Sequence, residues 1–392
     1  MSETILFVAH GFRRENILLQ PWRYIYEIAV RMVAGRRVIV ITDSPEGTKE
    51  ETWPERIQVV STDLLSFKKR NSLVALINSY EATQVWWSTT PRTIAYSRAW
   101  KRITCPLTAM ITCPLYPWKV LLRAWAHGVP LEELKALLLQ RMVPRGLFVR
   151  LLSQSKVKNV IVQSRANREV LVAAGVPAEK VRVVPVGLDH RDRAVVPAEK
   201  INAIRKMLDF PENATVLLYL GAVRPIRGID ALLEAFPLVI RESTHTYLGV
   251  LARGASEEQC DKLRARCRKL GIEDKVSIVG GWLSREQVWA SIEACDLVVL
   301  PFVVVPSDVP IAVLEALARG KPVISSTVDG LPELVQGRGA VVDPLNRQQM
   351  AAAMLELAGS ESTRRQMAQA AREFMETYPD WDKVAALSFS TG

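Results

Sequence analysis

The stretch that decides the fold is residues 297–330, LVVLPFVVVPSDVPIAVLEALARGKPVISSTVDG. It opens with an apolar run over 297–305 that is rich in β-branched residues and too short to cross a bilayer, as is typical of a strand buried on both faces. Cap-type residues and Pro310 come next and Gly320 follows ten residues after the proline, which predicts a short helix over 311–319. A second apolar run over 322–324 completes a strand, helix, strand unit.

Glu315 is the one charged residue among the eight residues of 311–318. A helix that is apolar on every side is a buried helix. A buried carboxylate requires partners, because an unpaired charge in the protein interior is strongly disfavoured. Those partners are either the hydroxyls of a bound sugar or ribose, or an arginine elsewhere in the core, and the pattern leaves both alternatives open.

The runs EALARGKPVI at 315–324 and DGLPE at 329–333 resemble the nucleotide-sugar site of the family 4 retaining glycosyltransferases. In that family this helix carries two glutamates with seven residues between them. Glu315 matches the second glutamate, and the resemblance implies that it holds the ribose of the donor nucleotide. Ser307 stands at the first glutamate's position with Asp308 beside it, so Asp308 is the nearest acid able to contact the transferred sugar.

A second motif, GAVRPIRG at 221–228, lies between a predicted strand over 216–220 and a predicted helix over 231–240. Two arginines and two glycines before a helix N-terminus suit an anion, since amides and guanidinium groups both pair with phosphate oxygens. The resemblance implies that Arg227 binds the donor diphosphate and that Arg224 replaces an arginine absent at Ala222.

The resemblance also implies that the turn after the strand over 276–281 meets the nucleotide base. The full predicted donor site is Gly221, Arg224, Arg227, Gly281, Trp282, Leu283, Ser307, Pro310, Ile311, Ala312 and Glu315, and the predicted catalytic residues are Arg227, Asp308 and Glu315.

Strand and helix patterns also alternate in the first half, which predicts a doubly wound parallel sheet with strands over 4–9, 37–42, 57–60, 84–87, 107–111, 160–163 and 180–185. By resemblance, the acceptor side comprises His10, Gly11 and Thr112, although a lone histidine is more often structural. Gly11 alone remains of the family's glycine-rich loop, and Thr112 and Cys113 stand where many members carry a sugar-contacting histidine.

The fold class predicted is therefore α/β of the GT-B type, with two facing doubly wound Rossmann-like domains. Residues 1–188 form the acceptor-binding domain and 189–375 the nucleotide-sugar domain, with a polar linker over 189–200. By resemblance, 376–392 form a final helix that crosses back to the first domain.

Composition narrows the class of protein. Of 392 residues, 49% are apolar and 23% charged, which is typical of a soluble globular chain. No signal peptide and no apolar run of transmembrane length is visible. The five cysteines form no CxxC pair, which argues against a zinc site or a disulfide framework and favours cytoplasmic thiols.

Charge is uneven along the chain: residues 1–190 hold 27 Lys and Arg against 15 Asp and Glu, whereas the remainder holds 24 against 26. The first half should therefore meet an anionic partner. A membrane surface or a phosphorylated substrate is favoured over nucleic acid, because no zinc-finger spacing, RNA-binding signature or basic zipper is present. Residues 116–152 interleave leucines and aromatics with cations, which predicts two or three amphipathic helices. They either dock on an anionic membrane, which the charge favours, or pack their leucines on the core.

Together these features predict a cytoplasmic glycosyltransferase that moves a sugar from a UDP- or GDP-linked donor to a membrane- or lipid-linked acceptor. The charge of the first half would allow it to bind the inner membrane face as a peripheral protein. The resemblance implies retention of anomeric configuration and no metal or further cofactor. One alternative is a non-catalytic nucleotide-sugar-binding partner of an active enzyme. It is favoured because the chain lacks the family's first glutamate, at Ser307, its glycine-rich loop, and its sugar-contacting histidine, at Thr112 and Cys113. Another is a sugar-nucleotide epimerase, but its acid and base residues are not found.

Overall fold

The computed structural model describes residues 3–113, 115–189, 194–305 and 307–389. Two parallel sheets dominate it, one built from residues up to 183 and the other from residues 215–342. Helices cover both sheets, as an all-parallel sheet with two apolar faces requires.

The first sheet has the order β3-β4-β2-β1-β5-β6-β7-β8, and all its pairs are parallel except β3 with β4. Its strands are β1 Glu3–Val8, β2 Arg36–Asp43, β3 Lys49–Thr52, β4 Ile57–Thr62, β5 Gln84–Ser88, β6 Leu107–Ile111, β7 Val157–Val162 and β8 Val181–Val183. Its helices are α1 Trp22–Met32, α2 Arg70–Ser79, α3 Ser97–Trp100, α4 Trp118–Ala126, α5 Leu131–Arg141, α6 Arg145–Leu152 and α7 Arg165–Ala173.

The second sheet has the order β11-β10-β9-β12-β13-β14 and is parallel throughout. Its strands are β9 Thr215–Gly221, β10 Thr246–Arg253, β11 Val276–Gly281, β12 Leu297–Leu300, β13 Val323–Ser326 and β14 Gly339–Val342. The helices are α8 Ala198–Leu208, α9 Ile229–Glu242, α10 Glu257–Leu270, α11 Arg285–Ala294, α12 Ile311–Ala318, α13 Leu331–Val335, α14 Arg347–Gly359, α15 Glu361–Thr377 and α16 Trp381–Phe389.

The predicted strand over 297–305 is wrong in its second half, because β12 ends at Leu300 and 301–305 form a buried loop. Pro301 cannot donate a hydrogen bond to a sheet ladder. The amides of Val303 and Val304 instead donate to Ile226 O, at 2.9 and 3.2 Å. The loop is thus attached to the segment between β9 and α9, and this attachment brings the two predicted donor motifs together.

Two further segments differ from what the sequence analysis predicts. The edge strand β3 was not predicted, because its sequence KEET is polar and exposed. The predicted linker over 189–200 is partly helical, since α8 begins at Ala198; its residues 190–193 lie outside the described residues.

The helix α16 packs on α1 of the first domain, as predicted for the C-terminal segment, of which 390–392 lie outside the described residues. Arg31 pairs with Asp382 at 2.6 Å, and Trp381 is fully buried against Tyr24. Leu188 pairs in parallel with Asp380, so the two chain segments that connect the domains lie side by side.

Helices α4, α5 and α6 bury some of the apolar side chains of residues 116–152, as the core-packing alternative expects, and expose others, so docking on a membrane stays a prediction. One set of apolar side chains is buried: Leu121, Ala124, Leu134, Leu137, Phe148, Leu151 and Leu152. A second set, here called the α4–α6 surface, is exposed: Trp118, Leu122, Trp125, Leu131, Leu139, Met142 and Leu147. None of the helices in the described ranges has the length and hydrophobicity needed to span a bilayer.

Candidate functional site

The loop between β9 and α9 is shaped by glycine. Gly228 has φ +76°, and a Cβ there would lie 1.8 Å from the carbonyl oxygen of Pro301. Gly221 has φ +144°, and a Cβ there would lie 3.0 Å from Nη1 of Arg227. The loop therefore packs directly on the end of β12, with the Arg227 guanidinium against its backbone.

Arg227 lies within a group of three arginines. Its Cζ is 5.7 Å from the ring centre of Phe302. Burial lowers the pKa of Arg227, and the positive charges of Arg224 and Arg253 lower it further. Like charges gathered on a half-buried loop beside a helix N-terminus favour binding of an anion.

Arg253 was not predicted as a site residue. It ends β10, which pairs in parallel with β9, so their carboxyl ends share one edge of the sheet. Ligands of open α/β sheets bind at that edge. The signal available in the sequence was an arginine shortly after the apolar, strand-like run YLGVL at 247–251.

Glu315 is buried on α12, with 5% of its surface exposed. Val313, Leu314 and Ala316 around it are fully buried. Pro310 caps the helix, and Ile311 and Ala312 supply its first turn, where unsatisfied backbone amides attract negative charge. The burial predicted for Glu315 is confirmed, and its contact with a ribose stays a prediction.

Asp308 lies in the loop that precedes α12 and is fully buried against the first domain. Its amide donates to the carbonyl of Thr112 at 2.9 Å. Its carboxylate faces Ser164 and Asn167 at the start of α7. Burial raises the pKa of Asp308 to about 6, although contacts with those two residues favour the charged form. Ser307, beside it, is also buried.

Two more acidic residues join Asp308 at this contact. Glu333 accepts hydrogen bonds from the amides of Arg165 and Ala166, at 3.2 and 2.6 Å, and so caps α7 from the other domain. Burial raises the pKa of Asp329 well above its usual range, and the charges of Asp308 and Glu333 add to this effect. The carboxyl groups of Asp308, Asp329 and Glu333 therefore lie around the N-terminus of α7. The positive end of the helix dipole there stabilises negative charge.

The turn after β11 is only partly available to a nucleotide base. The amide of Gly281 donates to Ala255 O at 3.1 Å, and its carbonyl accepts from the amide of Gly254 at 2.9 Å. Trp282 is 81% exposed and lies against Gly254, where a Cβ would be 3.4 Å from the indole. Within this turn the backbone of Gly281 is already hydrogen-bonded and the Trp282 side chain is accessible, and the predicted contact with a base stays a prediction.

On the acceptor side, Gly11 has φ +69°, and its amide donates to Asp43 Oδ1 at 2.5 Å. His10 Nδ1 is 3.7 Å from the same carboxylate. Desolvation lowers the pKa of His10, Asp43 opposes this, and the charge of Arg92 reinforces it. Asp43 ends β2, and His10 and Arg92 follow β1 and β5, the two strands next in the sheet. The carboxyl edge of the first sheet is therefore polar and ionic.

A cavity of about 340 Å³ lies between the domains, large enough for a sugar-sized group. An ion pair between Arg123 and Asp343 lines it. The other lining residues are Leu115, Tyr116, Pro117, Val120, Ala166, Asn167, Val170, Val303, Thr327, Val328, Asp329, Pro344 and Leu345.

The fold brings the predicted residues into two groups. Thr112 and Asp308 are in contact across the domain boundary, whereas the loop of Arg224 and Arg227 contacts the residues after β12. In the described ranges, no cluster of His, Cys, Asp or Glu has the composition of a metal site. All five cysteines are free thiols.

Two parallel-sheet domains joined by a crossing C-terminal helix define the GT-B class of fold. HepE of Anabaena, solved in complex with UDP, shares it with a TM-score of 0.72 at 18% identity, covering 98% of this chain and 97% of that one. Residues 200–374 match the model described as glycosyl transferases group 1. This match covers the second domain and confirms the resemblance found in the sequence.

Two curated relatives illustrate the match. The GDP-mannose-dependent α-(1-6)-phosphatidylinositol monomannoside mannosyltransferase of Mycobacterium tuberculosis is 30% identical over 230 residues, which are 57% of this chain and 58% of that protein. The D-inositol 3-phosphate glycosyltransferase of Corynebacterium glutamicum is 24% identical over 372 residues, 91% and 81% of the two chains. The chain spans little more than half the length of the first curated relatives it matches, 57% and 58%.

Proposed function

We propose that the protein is a cytoplasmic retaining glycosyltransferase that transfers a sugar from a UDP- or GDP-linked donor to a lipid-linked acceptor at an anionic membrane surface. The observation that carries this proposal is the arginine group at the carboxyl edge of the second sheet, close to the segment that leads into the helix of Glu315. A relative named as GDP-mannose-dependent and a GT-B structure containing UDP support a nucleotide-linked donor.

The division of labour follows from the chemistry of each group. Glu315 accepts hydrogen bonds from the ribose hydroxyls, and its burial makes these bonds strong. Arg224, Arg227 and Arg253 stabilise the charge that grows on the diphosphate as the bond to the sugar breaks. The acceptor hydroxyl oxygen forms the new bond to the sugar on the face that the diphosphate leaves, its proton passes to the departing diphosphate, and the configuration is retained. Asp308 contacts the transferred sugar.

One observation favours a second candidate, a non-catalytic nucleotide-sugar-binding partner. The carboxylate of Asp308 is fully buried against Ser164 and Asn167, away from solvent. A protein in which this carboxylate serves only the domain contact would bind a donor without reacting it.

Donor turnover separates these two functions. Nucleotide sugars are first screened for thermal stabilisation, because a ligand that binds only the folded state raises the unfolding temperature by mass action. The stabilising donor is then incubated without acceptor, and released nucleoside diphosphate is measured. Slow hydrolysis supports the enzyme, and an Asp308→Asn variant should lower it strongly while nucleotide affinity stays nearly the same. A donor that binds and is never hydrolysed or transferred supports the non-catalytic partner.

The membrane part of the proposal rests on the α4–α6 surface. Trp118, Leu122 and Trp125 are 40%, 53% and 53% exposed, and their i, i+4, i+7 spacing places them on one face of α4. Exposed aromatic and aliphatic side chains beside cations suit the interface of an anionic bilayer. Arg141 Cζ lies 5.6 Å from the centre of the Trp118 ring, and α6 adds the exposed cations Arg145 and Arg150.

Vesicle binding tests this surface. Each cation near an anionic membrane contributes about 1 kcal/mol, so Arg145→Glu with Arg150→Glu should weaken binding to anionic vesicles roughly tenfold or more. The control reverses two cations of α10, the exposed Lys262 and the half-buried Arg264, as Lys262→Glu with Arg264→Glu, and should bind like the wild type. Equal sedimentation with neutral and anionic vesicles at low salt would remove the reason for preferring a lipid-linked acceptor.

A further inference from the structure

Glu133, in the first turn of α5, reaches across the domain boundary into the loop between β9 and α9. Its Oε1 accepts a hydrogen bond from Arg224 Nε at 3.2 Å, and its Oε2 accepts one from the amide of Ile226, also at 3.2 Å. The Glu133 side chain is 16% exposed, although Arg224 is 49% exposed. A carboxylate of the first domain is thus held by a guanidinium group and a backbone amide of the second.

These two donors are the kinds of group that bind phosphate oxygens, namely an arginine and a backbone amide just before a helix. Glu133 also lies close enough to Arg227 to favour its charged form. The loop already holds an anion, and that anion belongs to the protein. The Glu133 carboxylate accepts hydrogen bonds from the Ile226 amide and the Arg224 guanidinium group, which would otherwise be available to a diphosphate.

We infer that Glu133 competes with the donor diphosphate for Arg224 and the amide of Ile226, so that donor binding releases α5 from the second domain. The inference rests on the proposed function, since it requires a diphosphate ligand at this loop. A carboxylate carries less charge than a diphosphate and reaches fewer donors, so the donor displaces it at a cost in affinity. Donor occupancy is thereby coupled to an interdomain contact of α5, which packs beside α4.

A substitution that removes the charge of Glu133 but keeps the shape of its side chain measures this cost. Glu133→Gln should bind UDP or GDP about fivefold more tightly than the wild type, the scale expected for a partly exposed ion pair, while uridine and guanosine affinities stay the same. Glu132→Gln is the matched control, because it removes the same charge from the same helical turn at an exposed position. Isothermal titration of the three proteins supplies the comparison, and Glu132→Gln should match the wild type.

An unchanged or weaker affinity for the diphosphate in Glu133→Gln, with the wild type binding it, would overturn the competition and leave the proposed function standing. A wild type that binds neither UDP nor GDP would overturn both. Amide hydrogen exchange gives a second measurement: adding the diphosphate to the wild type should speed exchange over residues 131–136 and slow it at Ile226. Slower exchange over 131–136 would contradict the release of α5.

Discussion

Replacing Arg227 by alanine should weaken binding of a nucleoside diphosphate much more than binding of the corresponding nucleoside. Arg227 is half-buried beside Phe302, so its bonds to phosphate fall in the range of charged hydrogen bonds, about 1.5 to 3 kcal/mol, rather than that of exposed ion pairs. Arg224 and Arg253 remain in the variant and keep part of the affinity. The expected loss is therefore roughly 10- to 100-fold for UDP or GDP.

The assay is titration of each variant with UDP, GDP, uridine and guanosine at one fixed ionic strength. Arg227→Lys keeps the charge without the forked geometry and should lose less than alanine. Arg365→Ala, on the exposed face of α15, serves as the control and should bind like the wild type. Unfolding temperatures report whether any loss reflects a weakened fold. If Arg227→Ala loses the same factor for the nucleoside as for the diphosphate, the phosphate assignment is wrong.

Two further predictions concern the base and the domain contact. Trp282→Ala should lower nucleoside affinity by about 1 to 3 kcal/mol, the scale of base stacking on an aromatic ring, without lowering the unfolding temperature, since the indole is 81% exposed; unchanged titration with the preferred nucleoside would exclude stacking. Asp308 has a folded-state pKa of about 6, above its usual value of 3.8, so it reduces the free energy of unfolding as pH rises between those values. Asp308→Asn should therefore gain stability relative to the wild type from pH 4 to pH 7, on the order of 2 kcal/mol, in thermal unfolding scans, and a constant difference would contradict the raised pKa.

The sequence predicts those elements whose own residues determine them. The helix α10 is determined by its own sequence, because a capping box of Ser256 and Gln259 starts it and Gly271, with φ +64°, ends it. The strand β3 could not be predicted, since pairing with β4 and not hydrophobicity makes it a strand. Residues 301–305 are apolar like a strand, but partners distant in the chain accept hydrogen bonds from the amides of Val303, Val304 and Val305.

The candidate site divides in the same way. The burial of Glu315 could be read from its neighbours along one helix. Arg253 joins the site through the order of strands in the sheet, and Glu133 joins it through contact between the domains, about ninety positions away along the chain. Neither relation leaves a local pattern in a single sequence, so both required the three-dimensional structure.

The paired segments at Leu188 and Asp380 have a mechanical consequence. A single flexible connection would let the domains rotate about several axes. Two connections that lie side by side act as one hinge and favour rotation about one axis. Gly187 lies where these segments meet, and a Cβ there would be 2.7 to 2.9 Å from atoms of Trp381. The two domains would therefore open and close about this single hinge axis, and even a methyl group at Gly187 would clash with Trp381 and force the two segments apart.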